Sequence, residues 1–377
     1  MAILLLLGES HFLQLRNRYM EFNLLRAGDE KDRKQWLAAI EQLPNHRQDV
    51  YFYPEYLQAY DHLVNAEACC AVYKKDNAIL IYPFLKSTIE ITDDPTNTLV
   101  SQDIQTPYGY GGPVVNKLGE APGFLHEVWD HFSDWCLAER VVSEFVRFHP
   151  LLDNVRWAPM TMNTFLDRLT IPIPLGRYSE ELFGTSYYSR HRQMLNKAER
   201  VGFAFEVLLA ENELSWFFPL YEETQDFLQV ADDVRFGEDY FKSLIEGFGS
   251  RAWLGVVKLS GEIVAAALIL EGKLFLHSHL MGYKRDIQTS GMTNLLYHGI
   301  ALDGEKRGKT ILHMGGGLSS DEKDHLFRFK KSLSPERANF SLGTLCHNDL
   351  EYENLGKKWE MKNGLRPKNY FQFYRLN

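Results

Sequence analysis

Lys330 has the setting in this chain that most suggests chemistry. It lies in Leu326-Phe327-Arg328-Phe329-Lys330-Lys331-Ser332-Leu333, where cations stand against aromatic side chains, and it follows the triplet Gly315-Gly316-Gly317. Consecutive glycines let backbone approach a ligand closely or turn sharply at a strand end. Before them, Ser290-Gly291 opens a helical pattern, and the free amides of a helix start can receive a phosphate or carboxylate without a charged side chain. A plain N-cap and a flexible turn explain the same residues without a ligand. Taken in order, the stretch suggests a site for an anionic carrier.

Three further groups have chemistry-bearing spacing. Arg190, His191, Arg192, Lys197 and Arg200 form the densest positive patch, where arginine can grip a phosphate bidentately and lysine as a point charge; a solvated helix face is the alternative. Tyr108-Gly109-Tyr110-Gly111-Gly112-Pro113 combines flat side chains with backbone freedom, which suits either a pocket lining or a tight packed turn. His277 and His279 alternate on one strand, with no cysteine or carboxylate nearby to complete a metal set, so they read as pocket lining or core edge and no metal is expected.

The elements that position these residues follow from periodicity. Leu274 to Leu280 alternates apolar and polar residues as a half-buried strand, Met292 to Lys306 repeats at helical spacing, and Thr310 to Met314 is a short apolar strand. Upstream, helices are expected at 29–43, 54–64, 119–138, 213–229 and 236–248, and from Ser189. Hairpins are expected at 68–85 and 252–270, with a strand at 141–147. The alternating Ile171-Pro172-Ile173-Pro174 reads as a connector. These elements give a mixed α/β fold in which the second half restates the first, as residues 1–168 and 169–377, with a last strand that could return to the first domain.

The motifs together resemble the FemABX-like acyltransferases, including the acetyltransferase-6 group. The glycine triplet followed by Phe329-Lys330 and Leu333-Ser334 is similar to the family's GGG and FK-x-x-F-[SG] signature, with Leu333 where the family more often has Phe. YFYPEYLQAY at 51–60, TPYGYGGP at 106–113 and SYYSRHRQMLNKAERVG at 186–202 look like family blocks in the expected order. The resemblance implies tandem GNAT-like domains. It further implies N-acyl or aminoacyl transfer from acyl-CoA or aminoacyl-tRNA to an amine of a cell-envelope sugar or peptidoglycan precursor. A non-catalytic module that binds a sugar nucleotide or a partner protein is the alternative.

On this resemblance Lys330 offsets charge at the site of transfer, with Lys331 as its rival and a surface lysine covering Phe329 as the plain alternative. Asp226, beside Tyr221 on the helix at 213–229, is the candidate base for the acceptor amine, because amide formation requires one proton to leave. Tyr108, Tyr110, Gly111, Gly112, Arg190, Arg192, Lys197, Tyr221, His279, Ser290, Gly291, the triplet and Phe329 are the candidate substrate contacts. Two departures bear on the donor. The usual [RQ]-x-x-G-x-[GA] pyrophosphate loop is reduced to Gln288-Thr289-Ser290-Gly291, and no long heptad helical arm is visible.

Composition narrows the partners. The 41 basic and 50 acidic residues give a formal net charge of −9, which disfavours broad binding to DNA or an anionic membrane surface while leaving room for a local groove for tRNA. Four cysteines fit neither a disulfide framework nor a zinc set, so a cytoplasmic setting is expected. The apolar run Ile3 to Leu7 is too short for a signal peptide and reads as a first strand, and membrane contact is expected to be peripheral at most. No phosphate-binding P-loop, dinucleotide fingerprint or nucleophile elbow occurs, so direct transfer without an acyl-enzyme or a permanently bound cofactor is expected.

Overall fold

The computed structural model describes residues 20–61, 63–89, 100–176, 189–230, 235–285, 287, 291–367 and 370–376. The chain divides into two compact units, one of residues 1–47, 51–166 and 341–377, the other of 48–50 and 167–340. The expected strand at Ile3 to Leu7 lies outside the described residues.

The first unit contains β1 (Glu21–Arg26), α1 (Glu30–Ile40), α2 (Pro54–Asp61), β2 (Ala66–Lys75), β3 (Ala78–Ile89), β4 (Ser101–Gln105), β5 (Val114–Val115), α3 (Pro122–Ala138), β6 (Val141–Arg147) and the first half of β7 (Asn163–Thr170). Helix starts follow local chemistry. Asp29 caps α1 by accepting from the amides of Lys31 and Asp32, and Pro122 occupies the first turn of α3, where its missing N–H costs nothing. Strands β1 to β4 are successively antiparallel, β6 lies parallel to β4 across the α3 crossover, and the strand at Ala338–Cys346, β14, adds antiparallel to β6.

In the second unit follow β8 (Pro172–Pro174), α4 (Ser189–Val201), β9 (Phe203–Leu209), α5 (Leu214–Leu228), α6 (Glu238–Phe248), β10 (Ala252–Leu259), β11 (Glu262–Glu271), β12 (Phe275–Tyr283), α7 (Met292–Lys306), β13 (Ile311–His313) and α8 (His325–Lys331). Strand β14 (Ala338–Cys346) then carries the chain back into the first unit, which ends with α9 (Asp349–Asn363). Strands β9 to β12 are successively antiparallel, β13 lies parallel to β12 across the α7 crossover, and β8 adds antiparallel to β13. Both sheets therefore share a six-strand plan of four antiparallel strands, a helical crossover to a parallel fifth and an antiparallel sixth, to which the first sheet adds β5 on β3 and β7 on β14. Chain order differs only at the sixth, since β8 precedes its unit's other strands and β14 follows them.

Two expectations are corrected. The segment 171–174 is not a connector but the edge strand β8, whose prolines are tolerated because it pairs on one side only, with β13. The C-terminal segment does not end as a strand. Asn348 caps α9 by accepting from the Glu351 amide, and residues 373–375 form a short 3-10 turn. The alternating aromatic and basic side chains there dock individually: Gln372 Nε2 donates to the Ile104 carbonyl at 3.2 Å, and Arg375 Nε donates to Asp103 at 2.7 Å.

The second unit's core is continuous across its sheet and helices. Trp253, Val257, Ala267 and Ile269 of the sheet pack with Leu296, Ile300 and Ala301 of α7 and with Leu195 and Ala198 of α4. The chain crosses from β10 to β11 through Ser260-Gly261, both with positive φ (52° and 87°), the backbone that a two-residue hairpin loop requires.

Candidate active site

Strand β12 holds its neighbours differently on its two sides. Against β11 the ladder runs to Tyr283, but against β13 the pairs are Phe275–Ile311, Leu276–Leu312 and His277–His313. Beyond His277 the two parallel strands part, at their carboxyl ends, the place where open α/β sheets bind ligands. At the same level a register shift occurs, with Leu268 opposite Leu280 and Ile269 opposite Ser278, so His279 is the extra residue of a bulge. Bulges re-aim side chains, and here the His279 imidazole Nε2 lies 2.5 Å from the Tyr240 hydroxyl of α6. Burial, reinforced by His277, pushes the His279 pKa down to about 3, so this imidazole is neutral at ordinary pH.

The first unit does not open in this way. There the parallel pair β4 and β6 is extended by the Thr106 amide to the Phe145 carbonyl at 3.0 Å and the Gly111 amide to the Arg147 carbonyl at 2.7 Å.

Where β13 ends, the glycine triplet turns under contact on two sides. The Met314 amide donates to the Ile171 carbonyl at 3.0 Å, and the Ile171 amide donates back to the Gly315 carbonyl at 3.1 Å. Gly315 has φ +70°. A Cβ on Gly316 would come within 3.1 Å of the Leu169 carbonyl oxygen, and one on Gly317 within 2.9 Å of both Asp324 Oδ1 and Phe327 Cβ. Packing therefore leaves no room for a Cβ on Gly317 and little on Gly316, whatever ligand the turn meets.

Lys330 belongs to this turn. Asp324 caps α8 through the Phe327 amide at 2.9 Å, and Lys330 in the helix's last turn reaches back so that Nζ donates to the Gly316 carbonyl at 2.7 Å. Burial lowers the Lys330 pKa to about 8, with Asp324 partly opposing the shift. Burial works to raise the Asp324 pKa, but donation from the Phe327, Leu318 and Leu326 amides outweighs it and keeps the carboxylate anionic. Lys331, the rival, is half exposed and pairs with Glu322 at 3.1 Å. Phe329 packs against Tyr297 of α7, with ring centroids 6.1 Å apart, and the Tyr297 hydroxyl accepts from Ser278 of β12 at 3.4 Å.

The remaining expected residues spread over several places. Gly291 starts α7 with φ +109°, and a Cβ there would sit 2.3 Å from the Met194 carbonyl oxygen, so α4 lies directly against it. Gln288, Thr289 and Ser290 lie outside the described residues. On α4, His191, Leu195 and Ala198 are buried while Arg190 and Lys197 are exposed and Arg192 is partly buried, an amphipathic helix with its basic residues outward. Tyr221 is buried, and its hydroxyl accepts from the Phe236 amide at 3.2 Å; Phe236 in turn stacks on Tyr240 at 4.4 Å, which connects Tyr221 to His279. The Asp226 carboxylate is 71% exposed and ion-paired with Arg235. Tyr108, Tyr110, Gly111 and Gly112 belong to the first unit, where Asn154 Nδ2 donates to the Gly111 carbonyl at 2.7 Å and Tyr56 donates to the Tyr108 carbonyl at 2.9 Å.

Sequence reasoning missed Tyr240, Tyr297 and Asp324, and a carboxylate beside His277. Asp49, contributed by the inserted 48–50 strip, lies 2.7 Å from His277 Nε2 with both side chains buried. Only the capping pattern Asp324-x-x-Phe327 carried a local signal.

Two mixed sheets built on one plan, the second open at its parallel pair, define tandem GNAT-like domains. Residues 185–331 match the family model described as an acetyltransferase (GNAT) domain, and that match supports an acyltransferase. Among solved structures the chain is similar to FemX, with 13% identity and a TM-score of 0.64 over 85% of this chain and 98% of that one. It is similar also to the C-terminal domain of a putative lysylphosphatidylglycerol synthetase from Agrobacterium fabrum, with 14% identity and a TM-score of 0.53 over 88% and 99%. L-PGS from Bacillus licheniformis gives 15% and 0.52 over 85% and 92%. At these identities the likeness is one of fold. No curated protein matches the chain. No helix among the described residues is long and apolar enough to cross a membrane.

Proposed function

We propose that the protein is an N-acyltransferase. It moves an acyl or aminoacyl group from acyl-CoA or aminoacyl-tRNA onto an amine of a cell-envelope sugar or peptidoglycan precursor, by direct attack in the second unit. The observation that carries this reading is the parting of β12 from β13 beside a lysine ammonium held at the glycine turn.

The chemistry fits those groups. The amine nitrogen attacks the donor carbonyl, a C–N bond forms, the thioester C–S or ester C–O bond breaks, and the proton lost by the amine balances the departing sulfur or oxygen, which leaves as the free thiol or hydroxyl. Negative charge gathers on the carbonyl oxygen in the transition state, and a preorganised cation or amide stabilises it more than the ground state. Lys330 supplies the cation from a partly buried position where its charge is weakly screened. Neutral His279, oriented by Tyr240, can contact the incoming amine without repelling it. The outward basic residues of α4 favour a donor that carries phosphates, as both CoA and tRNA do. The resemblance of the glycine triplet and Phe329-Lys330 to the FemABX-like signature favours an envelope precursor as acceptor.

The test is to incubate purified protein with acetyl-CoA or charged tRNA and a panel of UDP-linked amino sugars and muropeptides, following products by mass spectrometry. An acyl or aminoacyl mass added to one acceptor, lost in Lys330→Ala, is the expected result. Stabilisation by a sugar nucleotide with no turnover from any donor would favour a binding module instead.

A further inference from the structure

One face of α3 lines a cleft of about 750 Å³ in the first unit, the size of an ordinary small-molecule site, and no part of the proposed transfer reaction uses it. The cleft follows the helix from its first turn at Pro122 as far as Ser133, about 16 Å at the helical rise. Leu125, Trp129 and Phe132 recur along that face at helical spacing, and Trp157, Pro159 and Leu345 stand on the facing side. The Trp129 indole donates from Nε1 to the Trp157 carbonyl at 2.9 Å, which ties the two walls together. Along its length the cleft is therefore mainly apolar.

Its two ends differ in charge. At the start of α3 a single carboxylate, Glu120, serves three cations: it pairs directly with buried Arg47, with Lys117 at 3.1 Å and with Arg156 at 3.7 Å. Hydrogen bonds from Arg47 and Lys117 hold the Glu120 carboxyl down at about 2, so its charge is already engaged. Arg156 is half exposed, lies over the Trp157 ring at 4.9 Å, and stands from Glu120 at more than hydrogen-bond length. The dipole of α3 adds positive potential at the same end. Asp130, the other lining carboxylate among the described residues, pairs with His126 at 3.4 Å on the exposed side of the helix. At the far end the cleft meets the rings of Phe132, only 2% exposed, and of His347, edge-on to it and held by Glu144 at 2.9 Å.

An apolar channel with surplus cations at one end is complementary to an amphiphile whose charged end is an anion, because the guanidinium fork matches the oxygens of a carboxylate or phosphoryl group. We propose that this cleft binds an anionic amphiphile, with its apolar body along α3 and a carboxylate or phosphoryl end against Arg156. The site is independent of the acyl-transfer reading.

Titration of the full chain with decanoate, decyl phosphate and decylamine, each below its micellar concentration, tests it by calorimetry. Saturable binding of an anion is expected, and decylamine should bind about tenfold more weakly or not at all. Preference for decyl phosphate assigns a phosphoryl end, and preference for decanoate a carboxylate. Arg156→Gln, at a half-exposed position, should weaken the anion about tenfold, and Leu125→Glu, which sets a carboxylate beside the apolar body, should weaken both anions. Hydrogen exchange on the unaltered protein needs no variant to fold, and the bound anion should protect peptides covering 122–133 and 156–161. Lys330→Ala should bind the anion unchanged, which separates this site from the transfer site. Absence of saturable binding by both anions, decylamine bound as tightly, equal binding by folded Arg156→Gln, or protection confined to other peptides would overturn the assignment.

Discussion

Lys330 Nζ donates to the Gly316 carbonyl across 2.7 Å, tying the last turn of α8 to the turn that ends β13. One contact thus fixes a cation and a backbone bend together, beside the opening between two parallel strands. If that ammonium offsets transition-state charge, Lys330→Ala lowers kcat by about 10²- to 10³-fold with the fold intact. Because the Lys330 proton is lost as pH rises through about 8, wild-type kcat falls above that pH while Lys330→Arg stays flat. A wild-type profile level from pH 7 to 10 would remove Lys330 from the reaction.

The neutral imidazole of His279 makes a prediction about acid stability. Its folded pKa of about 3 lies below the unfolded value near 6.5, so between those limits the unfolded chain binds the proton and the folded one does not. Stability is therefore fully present above pH 6.5 and is lost as pH falls. At pH 4.5 this group alone costs up to about 2 kcal/mol relative to pH 7. His191 and His298, each lowered to about 4 by burial, add to the loss. Urea unfolding at pH 7 and pH 4.5 measures it, and His279→Asn should narrow the gap between the two midpoints.

Packing at the glycine triplet is testable without substrate. Gly317→Ala drives a Cβ to 2.9 Å from the Asp324 carboxylate and the Phe327 side chain, at the cap of α8. Overpacking of this kind costs about 1–3 kcal/mol. A lowered Tm is the expected outcome, and an unshifted one would mean that α8 moves freely away from the turn.

The C-terminal residues tie into the first unit through a buried charge. Arg375 pairs with fully buried Asp103, whose carboxyl is pushed up by burial and held back by that guanidinium. Arg375→Met leaves Asp103 uncompensated, with an expected cost of about 3–5 kcal/mol. Asp103→Asn combined with Arg375→Met should recover much of it, and a double variant no better than the single one would deny that the pair is the cause.

Much of the second unit was legible because its elements obey local rules. Met292 to Lys306 is a helix at the expected bounds, and the 252–270 hairpin is two apolar runs, buried on both faces, around a Ser-Gly loop. Strand β8 was not legible, because two prolines in four residues read as a linker until an edge partner is in place. The C-terminal helix α9 and strand β14 were missed for a related reason: β14 is set by pairing with β6, far away in the chain.

By itself, the sequence determined the helices α1 to α7 and the two hairpins, the glycine triplet with its lysine, and the resemblance to a family. Each of these is written in spacing along a short stretch of chain. Tertiary structure alone decided that β12 leaves β13 after His277, that a bulge turns His279 onto Tyr240, and that Asp49 sits beside His277. Those relations depend on register and burial. Both are set by residues distant in the chain meeting in a low-dielectric interior, and no local pattern records them.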